Sequence, residues 1–444
     1  MALGLALLAI ASAPLGIAGA QQQPATPALQ GAPADLQPAL SNLRCSQLPC
    51  DPGVRTGAAG AGDHLQALSQ PQIDLFNQGL GAFKEVDTPG DGLGPGFNLD
   101  SCAGCHAQPA VGGSSPAQNP QVARKDEFSP NQPLPSFLSL NGPVREARFI
   151  NNPDGTPDGG VHDLFMTSGC NAPKPDFQGA VSRNNVIFRI PTPTFGAGLI
   201  AAIPDSAIVA NMTANSGHSG VSGRPNRTGN DGTITRFGWK AQNKSLTIFA
   251  GEAYNVEQGV TNELFPNERV EGTGCSTTSP PEDFTGKESA GSLSDVTQFA
   301  LFMEFLAPPK PAPSNLVTQA GLQKFTAVGC NLCHTPMLRT GTSSVTALSN
   351  VDVNLYSDLL IHDMGPGLAD QVSQGAAGGR EFRTAPLWGV GQRVFFLHDG
   401  RTSDLLEAIK QHDSSGSEAS TVIGQFNNLN RFEQESILLF LRSL

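Results

Sequence analysis

The sequence predicts a mainly α-helical protein with loop-rich stretches and short β insertions, assembled from two copies of one arrangement. The order of a helix, a Cys-x-x-Cys-His motif, a long excursion and a closing helix occurs twice along the 444 residues. The first copy spans about residues 61–309 and the second about 314–444, with a proline-rich boundary at 308–313. Gly (50 residues) and Pro (35 residues) make up about a fifth of the chain, which favours irregular connections and excludes a coiled coil.

Residues 1–20 predict a secretory signal peptide. They carry no charged side chain, are mostly apolar and end in Ala18-Gly19-Ala20, a small-x-small cleavage pattern. The alternative is an uncleaved anchor, although Pro14 and the glycines make this a poor membrane span. We therefore expect an exported, periplasmic protein with no stable membrane span after cleavage, and residues 21–60 as an irregular lead-in or linker.

Apolar spacing predicts the helices that bracket each motif. In the first copy, a helix is expected over 71–83 and a closing helix over 293–306, for which Ser294 is a natural N-cap. In the second copy, the corresponding helices are expected over 316–328 and 432–444. The helix before each motif and the helix that closes each copy therefore define the repeated unit.

The middle of the first copy is expected to be loop-like with short strands. Residues 185–190 are β-branched and apolar, which predicts a strand. Residues 211–232 are rich in Asn, Gly and Ser, which predicts a surface excursion.

Two Cys-x-x-Cys-His motifs point to the cofactor. They comprise Cys102, Cys105 and His106 in the first copy, and Cys330, Cys333 and His334 in the second. This is the attachment signature of c-type haem, in which two thiols reach the vinyl groups of one porphyrin and the adjacent His binds the iron. A lone Cys-x-x-Cys is also compatible with a zinc site or a redox pair. The His directly after the second Cys, found in both copies of an exported chain, favours two covalently bound haem c groups.

The four remaining cysteines predict disulfide bonds, because an even remainder in an oxidising compartment is normally paired. They are Cys45, Cys50, Cys170 and Cys275. Cys45 and Cys50 form the obvious local pair, and Cys170 and Cys275 would then close a long loop. Four cysteines allow three connectivities, so the sequence favours this pairing but does not establish it.

Several longer stretches resemble the bacterial di-haem oxidoreductases often labelled thiol oxidoreductases. The resemblance covers most of residues 70–444. It is carried by 97–106 (FNLDSCAGCH), 108–113 (QPAVGG), 143–149 (PVREARF), 236–241 (RFGWKA), 362–368 (HDMGPGL) and 396–401 (FLHDGR). That family is similar, more distantly, to the di-haem cytochrome c peroxidases and to the di-haem enzyme that matures methylamine dehydrogenase. The resemblance implies two cytochrome c-like domains, mostly α, that face each other with one haem in each.

The resemblance also implies the axial ligands of the second haem. In the peroxidases, a ligand of the electron-transfer haem lies fourteen residues after the His of the H-D-G motif, which here leads from His398 to His412. Peroxidases usually have Met at that position, so this chain departs from them. With His334 as proximal ligand, His412 would give a bis-His, low-spin haem of lower potential. Met364 is the competing ligand, and His412 could instead be a surface residue after a helix.

The first haem, with His106 as proximal ligand, is expected to have an open distal face. No His follows the motif until His162, which is either a distal group or a structural residue. In the peroxidases a Glu in a V-E-M segment serves as acid and base, and Glu257 occupies the matching order in Asn-Val-Glu-Gln-Gly. The alternative for Glu257 is a solvated side chain or a helix cap.

Other residues have weaker expected roles near the haems. Arg145, Arg148 and Arg383 are candidates for binding haem propionates, because guanidinium groups suit carboxylates. Trp239 and Trp388 either lie between the two haems or simply pack in the core.

The leading hypothesis is a peroxidase-like enzyme in which a small redox protein or other donor supplies electrons. A bis-His haem relays them to an open haem that reduces hydrogen peroxide or another small oxidant. One alternative is a pure electron-transfer cytochrome, and another is a peroxide- or oxygen-dependent modifier of a protein or polymer. The net charge of −12 argues against a nucleic-acid partner. Calcium is common in the peroxidases, but this chain has no dedicated calcium loop.

Overall fold

The computed structural model describes residues 47–128, 133–158, 162–163, 166–167, 175–227, 231–270 and 279–444. Within these residues the chain is helix-rich. The α-helices are α1 (Gln70–Lys84), α2 (Cys102–Cys105), α3 (Pro120–Phe128), α4 (Phe177–Ser182), α5 (Ala197–Ala202), α6 (Asp205–Asn215), α7 (Leu246–Gln258), α8 (Asp295–Phe305), α9 (Leu316–Ala327), α10 (Leu405–Lys410), α11 (Ser420–Asn428) and α12 (Arg431–Ser443). The predicted signal peptide, Cys45, Cys170 and Cys275 lie outside the described residues, so the disulfide pairings that involve them stay predictions.

The strands are short and pair only in antiparallel fashion. They are β1 (Gly96–Phe97), β2 (Glu146–Phe149), β3 (His162–Asp163), β4 (Met166–Thr167), β5 (Val186–Arg189), β6 (Leu338–Arg339), β7 (Asp352–Val353), β8 (Ile361–Asp363) and β9 (Glu381–Arg383). In the described part of the chain, β2 lies between β3 and β5, and the other strands form the pairs β1–β4, β6–β7 and β8–β9. Strand β5 lies within the predicted segment 185–190. The small sheets pair the loops that connect the helices.

The four bracketing helices agree with the prediction to within three residues at each end. They are α1, α8, α9 and α12, and the Ser294 hydroxyl accepts the backbone N–H of Thr297 as the expected N-cap of α8. Among the described residues, no helix is both long and apolar enough to cross a membrane.

The prediction that the middle of the first copy is loop-like was wrong, because five α-helices, α3 to α7, lie there among the described residues. Helix α6 runs into the predicted surface excursion and ends only at Asn215. Helix α7 forms because the Ser245 hydroxyl caps its first turn, while Gly259 ends it in the left-handed conformation at φ 77°. Buried residues lie on several faces of α7, so its apolar residues do not form the single stripe that reveals a surface helix.

Both copies contain a helix pair that crosses at a glycine. Helix α1 packs against α8, and α9 packs against α12. A Cβ atom on Gly79 of α1 would lie 2.2 Å from the Gln298 carbonyl oxygen of α8. In the same way, a Cβ atom on Gly321 of α9 would lie 2.0 Å from the Ser436 carbonyl oxygen of α12. Only glycine permits this backbone approach, and the two copies therefore share one packing solution.

Each crossing also positions an aromatic ring against a motif histidine. One turn after the glycine of α1, the Phe83 ring lies 5.9 Å from the His106 ring, measured between centroids. At the equivalent position of α9, the Phe325 ring lies 6.3 Å from the His334 ring. The main hydrophobic core of each copy thus extends to the imidazole of its motif.

The described end of the lead-in packs against the second copy. Asp51 forms an ion pair with Arg442 of α12, with 2.6 Å between Oδ2 and Nη2, and both side chains are buried. The backbone N–H of Cys50 donates to Glu435 of the same helix at 3.0 Å. Cys50 is in a disulfide bond. From residue 47 onward the lead-in is therefore an ordered contact with α12.

Candidate functional site

A cavity of about 210 Å³, termed here cavity B, opens beside the second motif. Its wall contains Cys330 and Cys333 together with His334 and, on the segment after α10, His412. Neither cysteine is in a disulfide bond. The rest of the wall is mostly apolar and includes Phe325, Leu405, Ile409, Val422, Ile437 and Leu441. Two thiols, two imidazoles and an apolar lining are the donor set and the surroundings that a covalently attached, six-coordinate haem requires.

Backbone carbonyls orient both imidazoles of cavity B. The Nδ1 atom of His334 lies 3.0 Å from the Tyr356 carbonyl oxygen, and Nδ1 of His412 lies 2.8 Å from that of Ala408. Because a carbonyl oxygen only accepts hydrogen bonds, each Nδ1 carries the proton. Each Nε2 therefore keeps its lone pair, which is the arrangement found in metal-ligating histidines.

Both imidazoles are neutral at physiological pH. Burial, and secondarily the proximity of His412, lowers the pKa of His334 to about 4. Burial also lowers the pKa of His412 from its ordinary value. Since iron binds the neutral form, neither side chain has to lose a proton before it ligates.

Met364, the competing ligand, also lies in the wall of cavity B. Its backbone N–H donates to the Arg380 carbonyl, and its side chain packs with an apolar cluster that includes Phe382. The structure thus brings both candidate ligands to the same cavity as His334.

Two further histidines in the wall of cavity B are held in other ways. His362 has Nδ1 at 2.8 Å from a Glu418 oxygen and Nε2 at 2.9 Å from an Asp358 oxygen, so neither nitrogen is free for iron. His362 also forms, with Asp358 and Cys333, a grouping whose ligand atoms lie within 4.8 Å of one another. The grouping has three members and leaves out Cys330 and His334, so it is not the four-ligand site of a structural zinc. The His398 ring stacks on Phe382 at 4.3 Å.

A buried guanidinium supplies a second sign that cavity B accepts an acidic cofactor. Arg393 lies in the wall, and its Nε and Nη2 atoms are buried without a hydrogen-bond partner. Burial lowers the pKa of Arg393 to about 10, but the group stays charged at neutral pH. An unpaired buried charge is costly, and a haem propionate would supply the missing carboxylate.

The other arginines proposed for propionates are placed differently. Arg383 lies in the wall of cavity B, and its Nε donates to the Gly238 carbonyl at 3.0 Å. Arg145 is not in the wall of either motif cavity; its Nη1 donates to the Phe137 carbonyl and its guanidinium covers the Phe188 ring. Arg148 lies beside the first motif.

A second cavity of about 70 Å³, termed cavity A, lies beside the first motif and has a different chemistry. Its wall includes Cys102 and His106, and Cys105 lines a smaller space next to it. Acidic and basic side chains converge on cavity A: Glu146, Glu252, Glu257, Arg148 and Arg189. Among the described residues, the wall of cavity B includes one carboxylate, Glu418. The two motifs therefore face inequivalent surroundings.

His106 has the same tautomer as His334. Its Nδ1 lies 3.0 Å from the Gly113 carbonyl oxygen, which leaves Nε2 as the ligand atom, and burial lowers its pKa. Among the described side chains, His106 is the only histidine in the wall of cavity A. His162 lies on β3, where its backbone pairs with Arg148 of β2.

Glu257, the candidate acid–base residue, lies in the wall of cavity A at the end of α7. Burial, together with the neighbouring charge of Glu146 and a hydrogen bond to it, raises the pKa of Glu257 well above its usual value. Two carboxyl groups in hydrogen-bond contact share a proton, because both cannot ionise at low cost. Glu146 also lies 3.5 Å from Arg148, and Glu252 accepts a hydrogen bond from Asn243. Cavity A therefore holds an exchangeable proton beside the motif.

Trp239 is part of the wall of both cavities. Its indole N–H donates to the Ile190 carbonyl at 2.9 Å, and the Arg393 guanidinium lies 5.6 Å from its ring centroid. Trp388 lines a third, smaller cavity together with Trp239. The indole of Trp239 is therefore the side chain that separates the two motif cavities.

Sequence reasoning missed Arg393, Glu146 and the buried His362 as members of the two sites. No sequence motif around Arg393 indicates a role in a cofactor site. Glu146 and His362 both lie in stretches that resemble the di-haem oxidoreductases, so the signal was present, but no role was attached to either residue. Their roles depend on partners brought close by tertiary packing.

Comparison with known proteins supports a haem-based redox role. A family model described as "Di-haem oxidoreductase, putative peroxidase" matches residues 177–444. A hydrazine synthase structure from Kuenenia stuttgartiensis is 14% identical and covers 88% of this chain and 98% of its own, with a TM-score of 0.36. A MauG-like protein associated with microbial copper homeostasis is 13% identical and covers 55% of this chain and 89% of its own, with a TM-score of 0.29. No curated protein matches the chain.

Proposed function

The chain belongs to the di-haem oxidoreductase family, and on this premise we propose that it is an exported enzyme that reduces hydrogen peroxide. Cys102 and Cys105 attach one haem c, and Cys330 and Cys333 attach the other. Each haem lies in a cytochrome c-like domain, which the repeated glycine crossing of α1 with α8 and of α9 with α12 supports. A small redox carrier supplies the electrons.

The contrast between the two cavities carries this proposal. Cavity B offers two imidazoles, each with a free Nε2, within an apolar wall, as suits a six-coordinate haem that only transfers electrons. Cavity A offers one imidazole and a group of carboxylates, as suits a haem with an open position and proton chemistry beside it. When bound, haem supplies iron that exchanges single electrons and, where a coordination position is open, a centre that takes up peroxide.

The residues of cavity A manage the protons of the reaction. Reduction of one hydrogen peroxide molecule to two water molecules consumes two electrons and two protons. Glu257 gives its proton to one peroxide oxygen, which leaves as water, and takes up the proton of the other oxygen. Glu146 holds Glu257 in position and shares its proton, and Arg148 limits the negative charge that the pair accumulates.

Electrons reach cavity A from cavity B. Trp239 lies in both walls, so its indole bridges the two haem sites. In cavity B, His334 and His412 would hold the relay haem, and Arg393 would pair with a propionate. Met364 packs against this site without ligating.

The Glu257→Gln variant tests the proposal. Stopped-flow mixing of the fully reduced holoprotein with hydrogen peroxide should show both haems oxidised, and the variant should react about 10²–10⁴ times more slowly. Glu304→Gln is the matched control, because Glu304 is a half-buried carboxyl on α8 outside cavity A, and its rate should not change. A Glu257→Gln rate equal to wild type would remove Glu257 from the mechanism. Reduced wild-type protein that neither binds carbon monoxide nor reacts with peroxide would instead be a pure electron-transfer cytochrome.

A further inference from the structure

Oxidisable aromatic side chains are scarce in this chain and lie close to the haem sites. The sequence has 24 Phe but only 2 Tyr and 2 Trp. A phenol or an indole loses an electron far more readily than the benzene ring of Phe. Tyr254 lies in the wall of cavity A, Trp239 in both walls and Trp388 in the small cavity that shares Trp239, and the Tyr356 carbonyl oxygen accepts the hydrogen bond of His334 Nδ1. All four phenol and indole residues thus lie around the two sites.

Tyr254 is the phenol closest to the proposed reactive site. It lies on α7, its side chain is 2% exposed, and it lines cavity A together with His106. Its ring packs edge-on against Phe299 of α8, with 5.1 Å between centroids. Phe299 in turn contacts Phe83, the ring that packs on His106. The phenol is therefore buried. The rings of Phe299 and Phe83 and part of cavity A lie between it and the motif histidine.

The phenol has a buried carboxylate as its neighbour. Tyr254 and Asp87, which is itself 6% exposed, lie close enough for each to influence the pKa of the other. The Gln258 amide, one turn along α7, donates to Asp87 Oδ2 at 2.7 Å and fixes the carboxylate. The side-chain oxygen Oε1 of Gln258 lies 3.1 Å from Cys102 Sγ. The phenol, its neighbouring carboxylate and the haem-attachment thiol thus belong to one connected group.

The ionisation of this pair suits transfer of a proton from the phenol. Burial raises the pKa of Tyr254 well above its usual value, so the resting phenol keeps its proton. Burial, with smaller contributions from neighbouring carboxylates, raises the pKa of Asp87 to about 7. A carboxylate with that basicity accepts a proton more readily than an ordinary aspartate does. Without an acceptor, oxidation of a buried phenol would leave a cation out of contact with water, which is costly.

We propose that Tyr254 is a redox-active tyrosine that gives one electron to the His106 haem site after hydrogen peroxide has oxidised that site, while Asp87 takes the phenolic proton. The O–H bond of Tyr254 breaks, an O–H bond forms on Asp87, and the phenol becomes a neutral radical. Hydrogen peroxide is the oxidant, and with two electrons and two protons it becomes two water molecules. One electron comes from Tyr254 and the other from the His334 haem site, which has been reduced beforehand by the donor. The two protons are taken up from water, since the phenolic proton stays on Asp87.

This inference rests on the proposed peroxide reaction and adds a store for one oxidising equivalent. When no donor is present, the equivalent remains on a side chain that is shielded from solvent. When the donor returns, one electron reduces the radical and the proton moves back from Asp87. The many Phe side chains around the sites limit the spread of oxidation to other parts of the chain.

Electron paramagnetic resonance tests the inference on the holoprotein, freeze-quenched after mixing with hydrogen peroxide in the absence of donor. A tyrosyl radical signal is expected in the wild type, and it should narrow when the tyrosine rings are deuterated. The Tyr254→Phe variant should lose the signal, whereas the control Tyr356→Phe should keep it. The Asp87→Asn variant should form the radical about 10² times more slowly, because the phenolic proton has lost its acceptor.

The outcomes separate this inference from the proposed function. Suppose that peroxide oxidises the haems in both wild type and Tyr254→Phe. A tyrosyl signal that persists in Tyr254→Phe, or that is absent from the wild type, then overturns the role of Tyr254. The proposed peroxide reaction is unaffected by that result. An Asp87→Asn variant that forms the radical at the wild-type rate overturns the role of Asp87. Wild-type haems that peroxide does not oxidise overturn the proposed function and this inference together.

Discussion

Replacement of Gly79 by alanine tests the helix crossing on which the first haem site is built. The new Cβ atom would lie 2.2 Å from the Gln298 carbonyl oxygen and 2.9 Å from Phe302 Cβ. The first of these is a backbone atom, so no side-chain rotation relieves the contact and α1 must move away from α8. Overpacking of this kind costs about 1–3 kcal/mol. The movement also displaces Phe83 from the His106 ring, so the absorption spectrum of the first haem should change.

Gly81→Ala is the matched control on the same helix. A Cβ atom on Gly81 has no other atom within 4 Å, and alanine is the better helix former by about 0.5–1 kcal/mol. Urea unfolding of both holoprotein variants, followed by circular dichroism under identical conditions, should therefore give a lower midpoint than wild type for Gly79→Ala and a slightly higher one for Gly81→Ala. Equal midpoints for the two variants would refute the close backbone contact.

Four further predictions concern the haem sites and their supports. His412→Ala should convert one haem from low spin, whereas Met364→Leu should not, as electron paramagnetic resonance would show. Arg393→Gln should lower the reduction potential of the same haem in a spectroelectrochemical titration, because loss of a nearby positive charge favours the ferric state. His362→Gln should destabilise the fold by about 3–5 kcal/mol, since it leaves two buried carboxylates without their partner. Asp87→Asn should gain stability relative to wild type as the pH rises from about 4 to 7, because burial raises the pKa of Asp87 to about 7 and its ionisation in the folded state is unfavourable.

Each of these predictions has a clear contrary result. A low-spin spectrum that survives in His412→Ala but is lost in Met364→Leu would assign the ligand to Met364. An unchanged potential in Arg393→Gln would show that its charge is compensated without a propionate. If His362→Gln were as stable as wild type, the burial of charge described for His362 would be wrong. If the stability difference between Asp87→Asn and wild type did not depend on pH, the burial of charge described for Asp87 would be wrong.

The parts of the fold that sequence predicted well are those with strong local signals. The helices that bracket each motif have regular apolar spacing and recognisable caps, as at Ser294. Helix α7 was missed although Ser245 and Gly259 mark its ends, because its buried residues lie on several faces. The helix crossings at Gly79 and Gly321 were not predictable from sequence either, since these glycines differ from other helical glycines only in what packs against them.

The candidate site was predictable where its chemistry is encoded in consecutive residues. The Cys-x-x-Cys-His motifs need no tertiary information, and the structure brings His412 and Glu257 to the cavities of those motifs. The partners of these residues depend on packing between distant segments. Glu146 of β2 meets Glu257 of α7 only in the folded chain. The role of Arg393 is visible only because its buried Nε and Nη2 atoms have no hydrogen-bond partner among the described residues.

Covalent attachment of two haems is the claim that the mechanism, the radical site and the spin-state predictions all require. Whole-protein mass spectrometry of the purified holoprotein, unfolded in acid to release any loosely held cofactor, measures it directly. The account predicts a polypeptide that retains the mass of two haem groups, reduced to one by Cys102→Ser with Cys105→Ser and likewise by the matching pair of substitutions in the second motif. A polypeptide that carries no haem, or that keeps both after either pair of substitutions, would contradict it.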